Sequence, residues 1–283
     1  MFISQQKLKI LILEVMQEEE RLDELDIEQL SDVCYGSDLR STHALATCKY
    51  NNDEYFLKFS ESWSIKKDDD EVLQPIVEFL AYKIYSLFPD VMIPEDIHLV
   101  SDKKNKRIGL ATYRVAGITG RSAVSSGVDF FKSLSGGAMV DIFIANWDVA
   151  NLSNMIVDLE TGKATRIDPG GALTYRARGG RKGEKFSREA PELKTMLGGG
   201  TILQKTDLVK ACRDFIAVDW ATISETIDDT LEYAKQVLPP AGLESKIFAL
   251  EKEFNEIKSI LSSRYSMVYK HCQHVLDQEQ ENG

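Results

Sequence analysis

The hydrophobic pattern changes character at Val33 and again near Gly117, and the second change limits the folds open to the chain. Between the two, apolar residues alternate with polar ones in short runs. Residues 44–50 and 55–59 flank the polar stretch Asn51-Asn52-Asp53-Glu54, which predicts a β-hairpin. Pro75 then opens a helix expected to reach about Phe88, with Pro89 just past its end. Residues 93–100 and 107–115 read as two more strands, and residues 5–31 as a helix carrying an acidic run from Glu18 to Glu28. Beyond Gly117 comes a Gly/Ser-rich stretch to Gly137. A helix is expected over 138–145, a hairpin through 155–157 and 164–167, and a long loop over 176–200. From Ile202 the pattern is helical, broken at Pro239-Pro240. Strands plus one helix, a hinge, then mostly helix predict an α+β protein. Its two lobes would be a small β-rich one over 1–115 and a mostly helical one over 116–283, with a cleft near 112–120. A chain of 283 residues is ample for that core.

Charge narrows the partners. Lys and Arg number 34 against 45 Asp and Glu, a formal net charge of −11, which disfavours nucleic acid as a partner because phosphate neutralisation needs a basic surface. The longest apolar runs, such as Ile10-Leu11-Ile12-Leu13, fall far short of the ~20 residues of a spanning helix, so no transmembrane segment is expected. Residues 1–16 read as an amphipathic helix interrupted by Glu14 rather than as a signal peptide. Cys34, Cys48, Cys212 and Cys272 form no CxxC pair, which fits reduced thiols in a cytosol. That cytosol is the cell's own or that of a host into which a bacterium secretes the protein. His271-Cys272-Gln273-His274 lies on a terminal helix without a second cluster and reads as structural, as does Trp220.

The chemistry is concentrated between Asp141 and Gly171. A helix delivers Asp148 into a polar loop, Asn154 follows at the mouth of a hairpin, and the return strand ends in Arg166-Ile-Asp168-Pro-Gly-Gly171. Phosphoryl transfer requires this supply of groups. One carboxylate orients the hydroxyl nucleophile, and an Asn with a second carboxylate holds a divalent metal against the phosphates. Hard oxygen donors suit Mg²⁺ or Mn²⁺.

The run Ala145-Asn-Trp-Asp148…Asn154…Arg166-Ile-Asp168-Pro-Gly-Gly171 resembles the catalytic core of atypical kinases. The families it resembles are the bacterial HipA-like serine/threonine kinases and the phosphatidylinositol 3/4-kinase-like fold, including kinase-like effectors of intracellular bacteria. The resemblance covers roughly residues 33–175. It implies a protein-kinase-like fold that uses ATP, with Asp148 as the catalytic Asp, Asn154 as a metal ligand, and Asp168 as the metal-binding Asp that opens the activation segment. The sequence departs from the family pattern in two places. Asn154 follows Asp148 by six positions rather than five, so that an extra loop residue is present or Asn151 shares the role. The third motif reads Asp-Pro-Gly, without the usual Phe.

The resemblance also directs attention to the other parts. Lys58, mid-strand in Phe56-Leu-Lys-Phe59, is placed to reach the α/β-phosphates. Glu78, set among Ile76, Val77, Phe79 and Leu80, needs a cation, and Lys58 is its natural partner, with Glu71 as runner-up for the role. Gly36-Ser37-Asp38-Leu39-Arg40-Ser41-Thr42 stands where a phosphate-covering loop belongs. Ser37, Ser41 and Thr42 are its expected donors, although the glycine pattern is incomplete. Thr112-Tyr113-Arg114-Val115 resembles the hinge that bonds adenine through its backbone.

Arg176, Arg178, Arg181, Lys182, Lys185 and Arg188, against Glu184, give residues 176–188 a net charge of +5 in an acidic chain. That predicts an anion site for an acidic protein substrate, a phosphorylated residue or an inositol polyphosphate. Ala190-Pro191-Glu192 matches the tripeptide that closes activation segments. The expected function is γ-phosphoryl transfer from ATP to a protein Ser or Thr. The alternatives are a lipid or small-molecule kinase on the same scaffold, a catalytically dead kinase-like binding module, and transfer of a nucleotidyl group.

Overall fold

The computed structural model describes residues 24–35, 43–62, 71–176, 180–198 and 202–282. The strands are β1 (Glu24–Asp26), β2 (Ser31–Tyr35), β3 (His43–Tyr50), β4 (Asp53–Ser62), β5 (Ile97–Asp102), β6 (Arg107–Tyr113), β7 (Ile118–Thr119), β8 (Met155–Val157) and β9 (Ala164–Arg166). The helices are α1 (Gln74–Ser86), α2 (Gly120–Ser125), α3 (Ser135–Phe143), α4 (Glu192–Thr195), α5 (Leu208–Ile216), α6 (Trp220–Val237) and α7 (Ile247–Asn282). The architecture is the expected α+β plan of a small β-rich lobe and a mostly helical one. A six-stranded sheet in the order β1-β5-β6-β4-β3-β2 forms the small lobe, and a three-stranded sheet, β7-β8-β9, belongs to the helical lobe, with Ile156 of β8 lining the cleft.

Local chemistry explains the elements that carry the site. Asn51 and Asn52 both adopt positive φ, 51° and 71°, closing β3 and β4 through a two-residue turn. Asn tolerates that left-handed backbone, and its twist matches the flanking strands. Along β4, Tyr55, Leu57 and Phe59 are buried, while Phe56 and Lys58 between them point to the other face. The buried set packs with Leu25, Leu30, Ala46, Cys48, Val100 and Ala111 in a satellite core.

α1 starts with Pro75 in its first turn and is buried on nearly all sides, as a helix apolar all round must be. It lies between the six-stranded sheet and α6, so the main core runs without interruption from Leu99, Ile108 and Leu110 into the helical lobe. In that lobe α3 packs on α5 and α7, with Phe143, Phe215 and Tyr265 in mutual ring contact.

The structure corrects the helix expected over 5–31, of which residues 5–23 lie outside the described part. Residues 24–35 instead form β1, a single 3₁₀ turn at Ile27–Gln29, and β2. Pairing of β1 with β5 and burial of Leu25 and Leu30 on the sheet outweigh the helical pattern. Similarly, the segment read as one long loop contains a 3₁₀ turn at Gly183–Lys185 and α4.

Candidate active site

Lys58 stands at the centre of the cleft between the lobes. Its Nζ donates to Glu78 Oε2 at 2.8 Å and to Asp168 Oδ1 at 2.6 Å, joining β4, α1 and the segment after β9 at one atom. Burial opposes the charge on Lys58, but the carboxylates of Asp168 and Glu78 outweigh it and raise its pKa. Two carboxylates share one cation, so the more buried one loses. Burial, reinforced by the charge of Asp168, pushes the Glu78 carboxyl up to about 7 in spite of Lys58. Asp168 is half exposed to the cleft.

One stripe of α1 holds the rest of the site together. Glu78, Tyr82 and Tyr85 follow at i, i+4 and i+7, the spacing of a single helix face. Tyr82 Oη accepts the backbone N–H of Asp168 at 2.9 Å. Tyr85 donates to Asp141 Oδ1 at 2.5 Å and accepts from Asn146 Nδ2 at 2.9 Å. Asn146 Oδ1 in turn accepts the N–H of Asp148. Asp141, fully buried, also takes the Arg166 guanidinium at 2.9 Å, and Arg166 bonds the Leu134 carbonyl. Burial still raises the Asp141 pKa against that cation. One helix of the small lobe therefore fixes the ion pair, the Asp168 backbone and the turn into Asp148.

Asp148 sits in a 3₁₀ turn, Trp147–Ala150, at the C-terminal side of α3. Partial burial, followed by the charge of nearby Asp168, raises its pKa, while Lys182 and Lys58 pull it down. Gly171 makes the approach of Asp148 possible, since a Cβ there would lie 2.3 Å from Asp148 Oδ2. Asp168 itself is left-handed, φ 51° and ψ 60°, at the end of the β8–β9 hairpin, which turns its carboxylate out of the strand and into the cleft. Asn151 donates from Nδ2 to Asn154 Oδ1 at 3.2 Å, so the two side chains that could fill the Asn role are coupled.

The cleft encloses a cavity of about 880 Å³ lined by Leu45, Phe56, Lys58, Leu110, Tyr113, Ile156 and Asp168, among others. Apolar walls with a charged end suit a flat heteroaromatic group joined to phosphates. Tyr113 ends β6 at the hinge, where its N–H bonds the Asp96 carbonyl and its ring meets Tyr55 edge-on at 5.8 Å. Tyr55 donates to Asp96 Oδ2 at 2.7 Å, which pins the hinge from outside. Ser37, Ser41 and Thr42 lie outside the described residues.

The segment after Asp168 folds back onto the helical lobe. Glu192, in the Ala190-Pro-Glu tripeptide, is buried and meets the fully buried Arg264 of α7 at 2.7 Å. Its other oxygen accepts the Trp147 indole N–H at 2.8 Å. Here the basic residues separate. Arg176 and Lys185 are exposed, Arg181 pairs with the buried Glu253 at 2.5 Å, Arg188 donates to Ser259 at 2.7 Å, and Arg178 lies outside the described residues. The structure overturns Lys182 as a surface anion ligand: it is 2% exposed and donates to the Ala145 carbonyl inside the lobe.

The structure thus brings Lys58, Glu78 and Asp168 to one cleft with Tyr113 in its lining, sets Asp148 where the charges of Asp168 and Lys58 act on it, and ties Asn154 to this region through its carbonyl, which accepts the N–H of Ile167 beside Asp168. Sequence reading missed Tyr82, Tyr85, Asn146 and Arg264. Of these only the tyrosines left a signal, their helical register with Glu78.

No model of a known protein family matches the chain, and no curated protein sequence is similar to it. Among solved structures, that of the Helicobacter pylori proinflammatory kinase CtkA is similar over 86% of this chain and 98% of that one, with 13% identity and a TM-score of 0.45.

Proposed function

We propose that the protein is an ATP-dependent phosphotransferase that moves the γ-phosphoryl group to a Ser or Thr hydroxyl of a protein. The observation that carries this reading is Lys58 Nζ bridging Glu78 and Asp168 at the charged end of an apolar cavity. In this reading Lys58, held by Glu78, binds the α- and β-phosphates as a fixed positive charge. The cavity beside the hinge takes adenine. Asp148 accepts the hydrogen bond of the acceptor hydroxyl and aims its oxygen at the γ-phosphorus. Its raised pKa suits it to take the proton as the new P–O bond forms and the bond to the β-phosphate oxygen breaks.

The donor set fits a hard divalent ion. Asp168 and Asn154 offer oxygen, and among the described residues no group of three or more His, Cys, Asp or Glu builds a closed cage. That suits Mg²⁺ or Mn²⁺, which completes its octahedron with nucleotide phosphates and water. Asp168 and Asn154 would hold it, and its chemistry would be neutralisation of the charge gathered on the phosphates. We assign polyanion recognition, including that of an inositol polyphosphate, to the exposed Arg176 and Lys185, with Arg178 and Arg188 beside them in sequence.

Incubation with γ-labelled and, separately, α-labelled ATP, plus Mg²⁺ or Mn²⁺ and candidate proteins, tests the reading. Label from γ alone, lost in Asp168→Ala, is the expected result. Label from α would make it a nucleotidyl transferase, and label from neither would leave a binding module.

A further inference from the structure

A lysine buried beside the catalytic loop is the least explained charge in the molecule. Lys182 Nζ lies inside the helical lobe, 2.5 Å from the Ala145 carbonyl oxygen and 4.6 Å from the centre of the Trp147 ring. Its backbone N–H bonds the Thr174 carbonyl at 2.7 Å, so the side chain is anchored at both ends. Ala145 is left-handed, φ 53°, a conformation an alanine adopts only when its surroundings impose it. Two residues on, Trp147 is held by its N–H to Glu192. Both contacts come from the stretch 180–198. Between them lies Asn146, held by Tyr85 from the small lobe, and the next residue is Asp148.

We infer that Lys182 is a positioning residue, whose buried amino group, as donor to the Ala145 carbonyl, holds the left-handed turn that presents Asp148 and so makes the catalytic loop depend on the folding of the 180–198 segment against it. The inference rests on the reading of Asp148 as the residue that aims the acceptor hydroxyl. Lys182 also lies close enough to Asp148 for its charge, like that of Lys58, to act on that carboxyl.

Packing alone does not account for a lysine here, because a buried ammonium is costly and a methionine would fill the same space. The groups that face it are Glu192 on α4, Arg264 on α7, Asp148 on the loop and Arg176 on its own segment. Burial lowers its pKa to about 7, with Glu192 and Asp148 opposing that shift and Arg264 and Arg176 adding to it. Between its ordinary 10.5 and about 7, the unfolded chain binds a proton that the folded chain refuses. The fold therefore loses stability at this position as pH falls through that window.

The test is Lys182→Met in the full chain, measured for melting temperature, amide exchange, Mg·ATP affinity and γ-phosphoryl transfer. The expected variant melts no lower than wild type at pH 7, with the gap shrinking toward pH 10.5. Amides of 145–150 exchange faster by on the order of tenfold while those of α3 and α7 keep their protection. Transfer falls on the order of 10–100-fold with nucleotide affinity nearly unchanged. Unchanged exchange at 145–150 would overturn the inference, as would a lower melting temperature with exchange raised throughout the lobe. If wild type transfers no phosphoryl group, the kinase reading fails, and exchange at 145–150 still decides the role of Lys182. Should the Met variant not fold, Lys182→Gln, which keeps a donor at shorter reach, carries the same comparison.

Discussion

Two cation–carboxylate pairs, one in each lobe, bury their glutamates almost equally, Glu78 at 3% and Glu192 at 2% side-chain exposure, yet they are built differently. Arg264 is closed on every side. Its guanidinium donates to Glu192, to the Ser187 carbonyl, and to the Ile142 and Phe143 carbonyls at the C-terminal end of α3. Lys58 keeps 14% of its side chain exposed to the cleft and divides one nitrogen between Glu78 and Asp168. The difference follows the chemistry of the two side chains. A planar fork with five donors suits a permanent joint, whereas an ammonium on a flexible stem can exchange one carboxylate for a phosphate. The first pair holds the fold, and the second is the one that, in the proposed function, takes a ligand.

The largest expected effect separates the two. Arg264→Met leaves Glu192 buried without its cation and takes a donor from each of two helix-end carbonyls, and should cost about 3–5 kcal/mol of stability in chemical denaturation. Lys58→Met should leave a folded protein that has lost Mg·ATP binding. Equal stability losses in the two variants would erase the distinction between the pairs.

Next comes the hydroxyl that ties the exchangeable pair's helix to the other lobe. Tyr85→Phe leaves Asp141 and Asn146 each short of a partner in a buried network and should cost about 1–3 kcal/mol. It should also lower transfer more than it lowers nucleotide affinity, since Asn146 shapes the turn before Asp148. A variant as stable and active as wild type would disconnect α1 from the catalytic loop.

How far the sequence reached divides along the same line. Lys58 and Glu78 were legible because a charge in an apolar run has to be explained locally, and the explanation was one hairpin and one helix away. Asp148 and Asp168 were singled out by the helix–loop–hairpin context and the resemblance to atypical kinases, and the structure sets them within electrostatic reach of each other and of Lys58. Arg264 was not, since a cation on a long, highly charged helix reads as a solvent face, and its partner Glu192 lies 72 residues upstream. Tyr82 and Tyr85 read as core aromatics, and their hydroxyl partners come from loops that no periodicity places. Lys182 was misread for a related reason. The pattern of charges marked a basic segment but not which member turns inward.

The smallest effect is one of pH. The Glu78 carboxyl is raised from 4.5 to about 7, so its contribution to stability is fully present below pH 4.5 and is lost as pH climbs to 7. Glu78→Gln stays neutral throughout. Urea titrations should show the variant gaining on wild type between pH 4.5 and 7 and a constant difference above that. A difference that does not change with pH would mean that Glu78 ionises normally in the folded protein.

The central claim is that Asp168 binds the metal–nucleotide while Asp148 acts only on the acceptor. Calorimetric titration of Mg·ATP into Asp148→Asn and Asp168→Asn addresses it most directly. The account predicts wild-type affinity for the first variant and loss of metal-dependent binding for the second. Equal affinities in both, or loss in Asp148→Asn alone, would contradict it.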